Sequence, residues 1–329
     1  MARKTGKLLA TLFATTLCTT AMPSAAAQDK ATAKRKPTIT IIVPSQGEPA
    51  DALARILVAP LGKALKQPVV ERHILGAGGT LGSEKASKAM PDGTTLLLSN
   101  IGQATGTALY RQLRYDPVGD FEPIGLVAEV PMVLVARSSL PAKDLKELLA
   151  GDTTDLGFAH GGAGSVSHLC GLLFMNAARA TPRMINYQGT QPALSDLVGG
   201  HVDLLCDQPG NVVKALHSGQ VRAYGVTTRT RAKVLPQVPT LAEAGLPDVE
   251  LVVWHGLYAP RGTPRETVER LAAGLRQALA TPAVKAQMAQ LGATPAPAAD
   301  ATPEALGQRL RAEEIRWGQI LRGAGVRAD

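Results

Sequence analysis

From Thr38 onward, short apolar runs alternate with amphipathic segments, and glycine- or proline-rich loops separate them. That alternation restricts the chain to an α/β architecture with helices packed on largely parallel sheets. The first unit predicts a strand at 38–43 (TITIIV), a loop from Pro44 to Ala50, and a helix from about Asp51. Leu53, Ile56, Leu57, Leu61 and Leu65 fall on one face of that helix. Pro60 lies inside it, so a kink or break is expected there. Strand 69–74, the segment Gly76-Ala77-Gly78-Gly79, a short helix to Met90 and strand 94–98 follow, and the apolar strand 130–136 closes this half. The second half repeats the style, with helices at 143–150, 165–178, 191–198 and 209–218 among strands 155–159, 184–187, 202–206 and 221–227. Strand 251–258 leads into a helical tail. Thr263-Pro264-x-Glu266 reads as a capping box and Thr302-Pro303 as a second helix start. The spacing of Leu306, Leu310, Trp317 and Leu321 makes Trp317 a core residue.

The amino terminus restricts where such a fold works. Arg3, Lys4 and Lys7 precede an apolar run from Leu8 to about Ala21, and Ala25-Ala26-Ala27 precedes Gln28. This is the layout of a cleavable secretory signal over residues 1–27, so a soluble exported protein is expected. The run is short and rich in Thr and Ala for a membrane span, which leaves an uncleaved anchor as the lesser alternative. Its removal leaves 302 of 329 residues, enough for two domains. Three basic and no acidic residues leave with it, so the net charge falls from +8 to +5. That excess is dispersed, and no basic helix carries interleaved aromatics, which argues against nucleic-acid binding. Outside the cytoplasm NAD and ATP are poor cofactors, and none is expected. Cys170 and Cys206 survive cleavage. They either form a disulfide, closing a loop of about 35 residues and contributing ~3 kcal/mol, or remain two separate buried thiols. The histidines are scattered singly and no pair has zinc-ligand spacing, so no metal site is expected.

Two loops could carry binding chemistry, Pro44 to Ala50 and His160 to Ser167. Each leaves a predicted strand and enters a helix, where open α/β sheets receive ligands and free N–H groups favour an anion or a carbonyl oxygen. Glycines permit close approach, and Ser165 and Ser167 add hydroxyls. The plainer reading is ordinary turns with serine caps. Neither loop is a nucleotide fingerprint, and GAGGTLG (76–82) reads as a tight turn reaching the cleft edge. Ser165, Ser167 and His168 also admit an exported serine hydrolase, but no G-x-S-x-G elbow is present. His168 is otherwise expected at a helix surface or core edge.

At this point the sequence resembles a known family, the Bug-type extracytoplasmic solute receptors of tripartite tricarboxylate transporters. The resemblance rests on IIVPxxG...DALAR (41–55), GAGGTLGSEKASKAMPDG (76–93), LRYDPVGDFEPIGLV (113–127), AHGGAGSVSHLCG (159–171), NYQGTQPALSDLVGGHVDLLCDQ (186–208) and VPTLAEAGLPDVELVVWHGLYAPRGTP (238–264). It implies a two-domain periplasmic binding protein of type II-like fold, residues 38–134 with 253–329 forming one domain and 135–252 the other. The chain would cross between them twice, in agreement with the apolar strands near 131–137 and 252–258. It further implies a monomeric, non-enzymatic receptor that closes on a small organic solute and delivers it to integral membrane transporter subunits; a sensor for a membrane signalling partner is the related alternative. Carried over by position, Ser45, Gln46 and Gly47 would form one wall and Gly164, Ser165 and Ser167 the other, with Asn100, Tyr187 and Asp207 near the cleft. The first loop departs from the family form P-F-x-P-G-G-x-x-D: it reads P-S-Q-G-E-P-A-D, one residue shorter, with Glu48 where glycine is common. Pointing inward, Glu48 would repel a ligand carboxylate by on the order of 4 kcal/mol and favour an amino acid, an amide or a cation. Solvated at the rim, it would only support the helix start.

Overall fold

The computed structural model describes residues 36–44, 49–76 and 79–326, so the predicted signal (1–27) and Ser45, Gln46, Gly47 and Glu48 lie outside the described residues. β1 (Ile39–Val43) is an unbroken branched run buried at four of five positions. It is flanked in parallel by β2 (Val69–His73) and β3 (Thr95–Asn100). Between β1 and β2 runs α1 (Pro49–Leu65), with Leu53, Leu57 and Leu61 fully buried. The helix continues through Pro60 instead of ending there. Core contacts on both sides of the proline outweigh the one hydrogen bond it denies Ile56. α2 (Thr80–Ser87) precedes β3, and α3 (Gly102–Leu109) follows it. Periodicity does not foreshadow α3, because GQATGTAL is made of small residues with no apolar stripe.

β4 (Phe121–Pro131) ends the first half, and after Met132 the chain enters the second sheet as β5 (Val133–Arg137). There follow α4 (Leu145–Ala150), β6 (Gly157–His160), α5 (Val166–Ala178), β7 (Arg183–Asn186), α6 (Thr190–Gly199), β8 (Leu204–Asp207), α7 (Pro209–His217) and β9 (Val221–Val226). β10 (Val252–Pro260) returns to the first sheet. The tail consists of α8 (Arg265–Ala280), α9 (Pro282–Gln290), the edge strand β11 (Thr294–Pro295) and α10 (Pro303–Gly323). The strand orders are β11-β4-β10-β3-β1-β2 and β7-β6-β8-β5-β9. Both sheets are mixed, but the expected parallel majority is not met: of nine strand pairings among the described residues, four are parallel. Every antiparallel pairing involves β4, β5 or β10, the strands on either side of the crossings: β10 and β5 run against the parallel core of their sheets, whereas β4, antiparallel to β10, runs with it.

One buried side chain joins the outgoing and returning connections. The Thr227 hydroxyl donates to the Leu251 carbonyl (2.6 Å) and accepts from the Met132 N–H (3.0 Å). Its backbone N–H donates to the Met132 carbonyl (2.9 Å), and its carbonyl accepts from Leu251 (3.1 Å). The Cys170–Cys206 disulfide fastens α5 to β8 with Cα atoms 6.1 Å apart. Closing that loop contributes about 4 kcal/mol on the chain-entropy scale. In the tail, Thr302 caps α10 by accepting from Ala305 N–H (3.2 Å). The capping box expected at Thr263 does not form: α8 starts after Pro264, and the Thr263 hydroxyl donates instead to the Pro260 carbonyl (2.7 Å). Trp317 is fully buried, its indole N–H donating to Glu313 (2.8 Å). No helix among the described residues is long and apolar enough to cross a membrane.

Candidate functional site

The carboxyl ends of β1, β3, β6 and β7 open into one cleft of about 740 Å³ between the two sheets. On the first side it is lined by Ala50 in the first turn of α1, Gly79 and Thr80 at the start of α2, and Gly102 and Gln103 at the start of α3. On the second side stand residues 161–166, which lead into α5, and Asn186, Tyr187 and Gln188 after β7. Helix N-termini from both halves therefore face the same space, each carrying a partial positive charge and N–H groups that its own helix cannot satisfy. No described residue lining the cleft is an Asp, Glu, Lys, Arg or His.

The second wall is built by internal hydrogen bonding. Ser165 is the N-cap of α5, its hydroxyl accepting from His168 N–H (3.3 Å). The Ser165 and Ser167 hydroxyls bond each other (2.9 Å), and Ser167 Oγ also accepts from Gly161 N–H (2.8 Å). His168 Nδ1 accepts from Gly164 N–H (3.0 Å). The two serine hydroxyls have two protons and their mutual bond uses one, so one remains for an acceptor in the cleft. Gly164 adopts φ +75°, and a Cβ there would collide with Leu109 of α3, so the two halves touch at this point.

Of the residues expected from the sequence, Asn100, Gly164, Ser165 and Tyr187 line the cleft. Asn100, just before the Ile101 N-cap of α3, turns its amide oxygen to accept from Gly102 N–H (2.9 Å), the first N–H of that helix. Tyr187 commits its hydroxyl to Asp196 (2.7 Å); burial and that carboxylate push its pKa up to about 12. Ser167 is one layer back, 2% exposed. Asp207 is also buried, at the end of β8. One of its oxygens accepts from Gln208 N–H (2.8 Å) and Asn211 Nδ2 (3.0 Å), while Oδ2 has no protein partner, and burial pushes its pKa up to about 6. Sequence reasoning did not single out Thr80, Ser83, Ser99, Tyr115, Asn186 or Gln188, all in the lining. The signal was present for Thr80: GAGGT leaves a parallel strand and opens a helix, the pattern that selected the other two loops. Gly76 and Gly79 form part of the wall itself, where only the cleft edge was expected.

His168 is buried directly behind the cleft wall, so of the two expected positions the core edge fits and the helix surface does not, and its ring stacks on that of His160 with centroids 4.4 Å apart. Burial, with His160 adding to it, lowers the His168 pKa to about 4; burial also lowers that of His160. Nδ1 accepts a backbone N–H, and among the described residues the His168 ring makes no hydrogen bond to the Ser165 or Ser167 hydroxyl, which bond each other. Behind the first wall, Asp51, Glu71 and His73 bring potential ligand atoms within 4.8 Å of one another. Arg55 already supplies the positive charge there, with Nη2 2.9 Å from both Asp51 oxygens.

Residues 53–326 match the receptor of the tripartite tricarboxylate transporter family, TctC. A protein of Agrobacterium vitis, from the TAR-I ttuE-ttuC' intergenic region, is 43% identical over 291 residues, covering 87% of this chain and 84% of its own. Among solved structures, the periplasmic binding protein BugD is 38% identical with a TM-score of 0.79, covering 88% of this chain and 98% of its own. MatC from Rhodopseudomonas palustris, solved with bound malate, is 40% identical with a TM-score of 0.78, covering 87% and 99%. With sequence similarity spanning both sheets and the cleft between them, this chain belongs to the tripartite tricarboxylate transporter receptor family, as a Bug-type member with the periplasmic binding protein fold.

Proposed function

We propose that the chain is a periplasmic receptor that captures a small organic carboxylate in this cleft by closure of its two lobes and passes it to membrane transporter subunits. The observation that carries the reading is a cleft whose described lining is uncharged and which helix N-termini from both sheets face. Neutral dipoles aimed at one space stabilise a carboxylate without a fixed cation, and release it when the lobes part, because each wall alone offers half the donors. The moving bodies are residues 38–134 with 253–329 and residues 135–252, and residues 1–27 direct export. Malate bound to MatC supports a short dicarboxylate as the first solute to try. On this reading the chemistry is binding: the imidazole and hydroxyls of the second wall hold its loop, and the one serine proton left over is a donor for the solute.

The test is a native mass spectrum of freshly purified protein, followed by calorimetric titration with malate and a panel of other carboxylates, amino acids and amines. A retained or titrated carboxylate that binds more weakly after Thr80→Ala and Ser165→Ala supports the reading. A receptor that takes only cations overturns it. Glu48→Gln decides between the two readings of the first loop: preference moving toward dianions places that carboxylate inward, and an unchanged preference places it at the rim.

A further inference from the structure

We propose that His168 is the positioning residue of the second wall: its neutral imidazole holds residues 161–164 in the shape that leaves the Gly162 and Ala163 N–H groups for the solute, and does so only while unprotonated. The inference deepens the receptor reading above and rests on it.

Three observations carry it. His168 Nδ1 accepts the Gly164 N–H at 3.0 Å, which fixes the tautomer with its proton on Nε2. The loop it holds contains Gly162 at φ +120° and Gly164 at φ +75°, conformations that glycine leaves readily without an anchor. Gly164 also lies against Leu109 of the opposite half, so its position sets both the shape of the wall and the fit between lobes. The surroundings keep the ring neutral. β6 presents His160, stacked at 4.4 Å. β8 presents Cys206, held in the disulfide, while Asp207 turns to the other face of the sheet toward Asn211. α3 presents Leu109, and α5 itself contributes only the two serine hydroxyls. Among the described residues no carboxylate is bonded to the ring, in keeping with a His168 pKa lowered to about 4 by burial and by His160. Protonating Nδ1 would set a donor against the Gly164 N–H and replace an attraction with a repulsion.

The test compares wild type with H168N, whose amide oxygen can stand where Nδ1 accepts and cannot titrate, and with H168L, which keeps the bulk but accepts nothing. With malate as the probe at pH 7.5, H168L should bind about tenfold more weakly than wild type and H168N should restore most of that loss. Between pH 7.5 and 3, wild-type affinity should fall about tenfold further than that of H168N, because a ring with a pKa of about 4 is about nine-tenths protonated only near pH 3; the ratio of the two cancels the titration of malate itself. Parallel pH profiles, or an H168L protein that binds like wild type, would overturn the proposal. A readout without solute separates this from failure of the receptor reading. In ¹⁵N spectra of the unliganded wild-type protein, the Gly164 amide should shift together with the titration of the His168 ring. An amide indifferent to that titration refutes the assignment, whether or not malate binds and whether or not H168L folds.

Discussion

The two walls of the cleft present the same kind of surface, backbone donors at helix starts, yet they are braced in opposite ways. Behind the first wall the brace is ionic: Asp51, in the first turn of α1, meets Arg55 at 2.9 Å and His73 Nε2 at 2.6 Å. Behind the second it is neutral, a stacked imidazole pair and two hydroxyls. Exposure accounts for the difference. The Arg55 side chain is 64% exposed, so water shares the cost of its charge, whereas His168 is 7% exposed and an ion there would stand unsolvated. A donor-lined wall can thus rest on charges or on neutral groups, and the choice decides how it responds to packing changes and to acid.

The sharpest way to break this comparison is to add bulk to each wall. Gly164→Val places a branched side chain at φ +75° against Leu109, disturbing the wall and the lobe contact together. Strain and overpacking of about 3 kcal/mol should weaken solute binding by roughly a hundredfold. Gly79→Ala, at φ +92° and 3.3 Å from Pro44 Cβ, strains only its own half and should cost about 1 kcal/mol, or tenfold at most. Calorimetry on the two proteins checks the order; equal losses would mean that the walls are equally coupled across the cleft.

Acid should separate the walls next. His168 and His255 have pKa values lowered to about 4 in the folded protein, so the unfolded chain binds more protons between that value and the ordinary 6.5. Their contribution to stability is therefore complete above pH 6.5 and is lost as pH falls through that window, on the order of 3 kcal/mol for each fully buried ring. Urea unfolding at pH 7.5 and 4.5 should show the loss, and H168N should lose less than wild type while the His255 share remains. Equal losses in the two proteins would leave the neutral brace without energetic content.

Much of this frame was legible in the residues. β1, β5 and β10 are largely apolar runs with no other home than a buried sheet, and glycine with serine between strand and helix located the second wall. What stayed hidden depended on neighbours distant in sequence. Thr263 and Thr302 carry the same start signature, but only Thr302 caps its helix, because the turn before α8 offers Thr263 the Pro260 carbonyl first. Thr80 and Ser83 belong to the cleft because β3 lies beside β1, a pairing that no local pattern encodes. Asp207 and Ser167 have the chemistry of ligand residues, yet they sit a layer back, where depth along a strand end or helix turn decides and composition does not.

The smallest expected effect lies in the ionic brace. Burial raises the pKa of Asp51, but the His73 and Arg55 bonds more than offset it and hold the carboxyl below its usual value. A depressed carboxylate contributes stability above its ordinary 3.8 and loses it as pH falls through the folded value. Asp51→Asn keeps the side-chain shape and removes the charge, so at pH 7.5 it should cost about 1 kcal/mol, the range of a largely solvated ion pair with one good hydrogen bond. The gap to wild type should begin to close below pH 3.8 and vanish only after pH has fallen through the lowered folded value, where the native carboxyl is protonated too. Solute affinity should fall no more than about threefold, because the brace acts on the first turn of α1 from outside the cleft. A loss as large as that of Gly164→Val would show the two walls to be equally dependent on their supports, with exposure no longer distinguishing them.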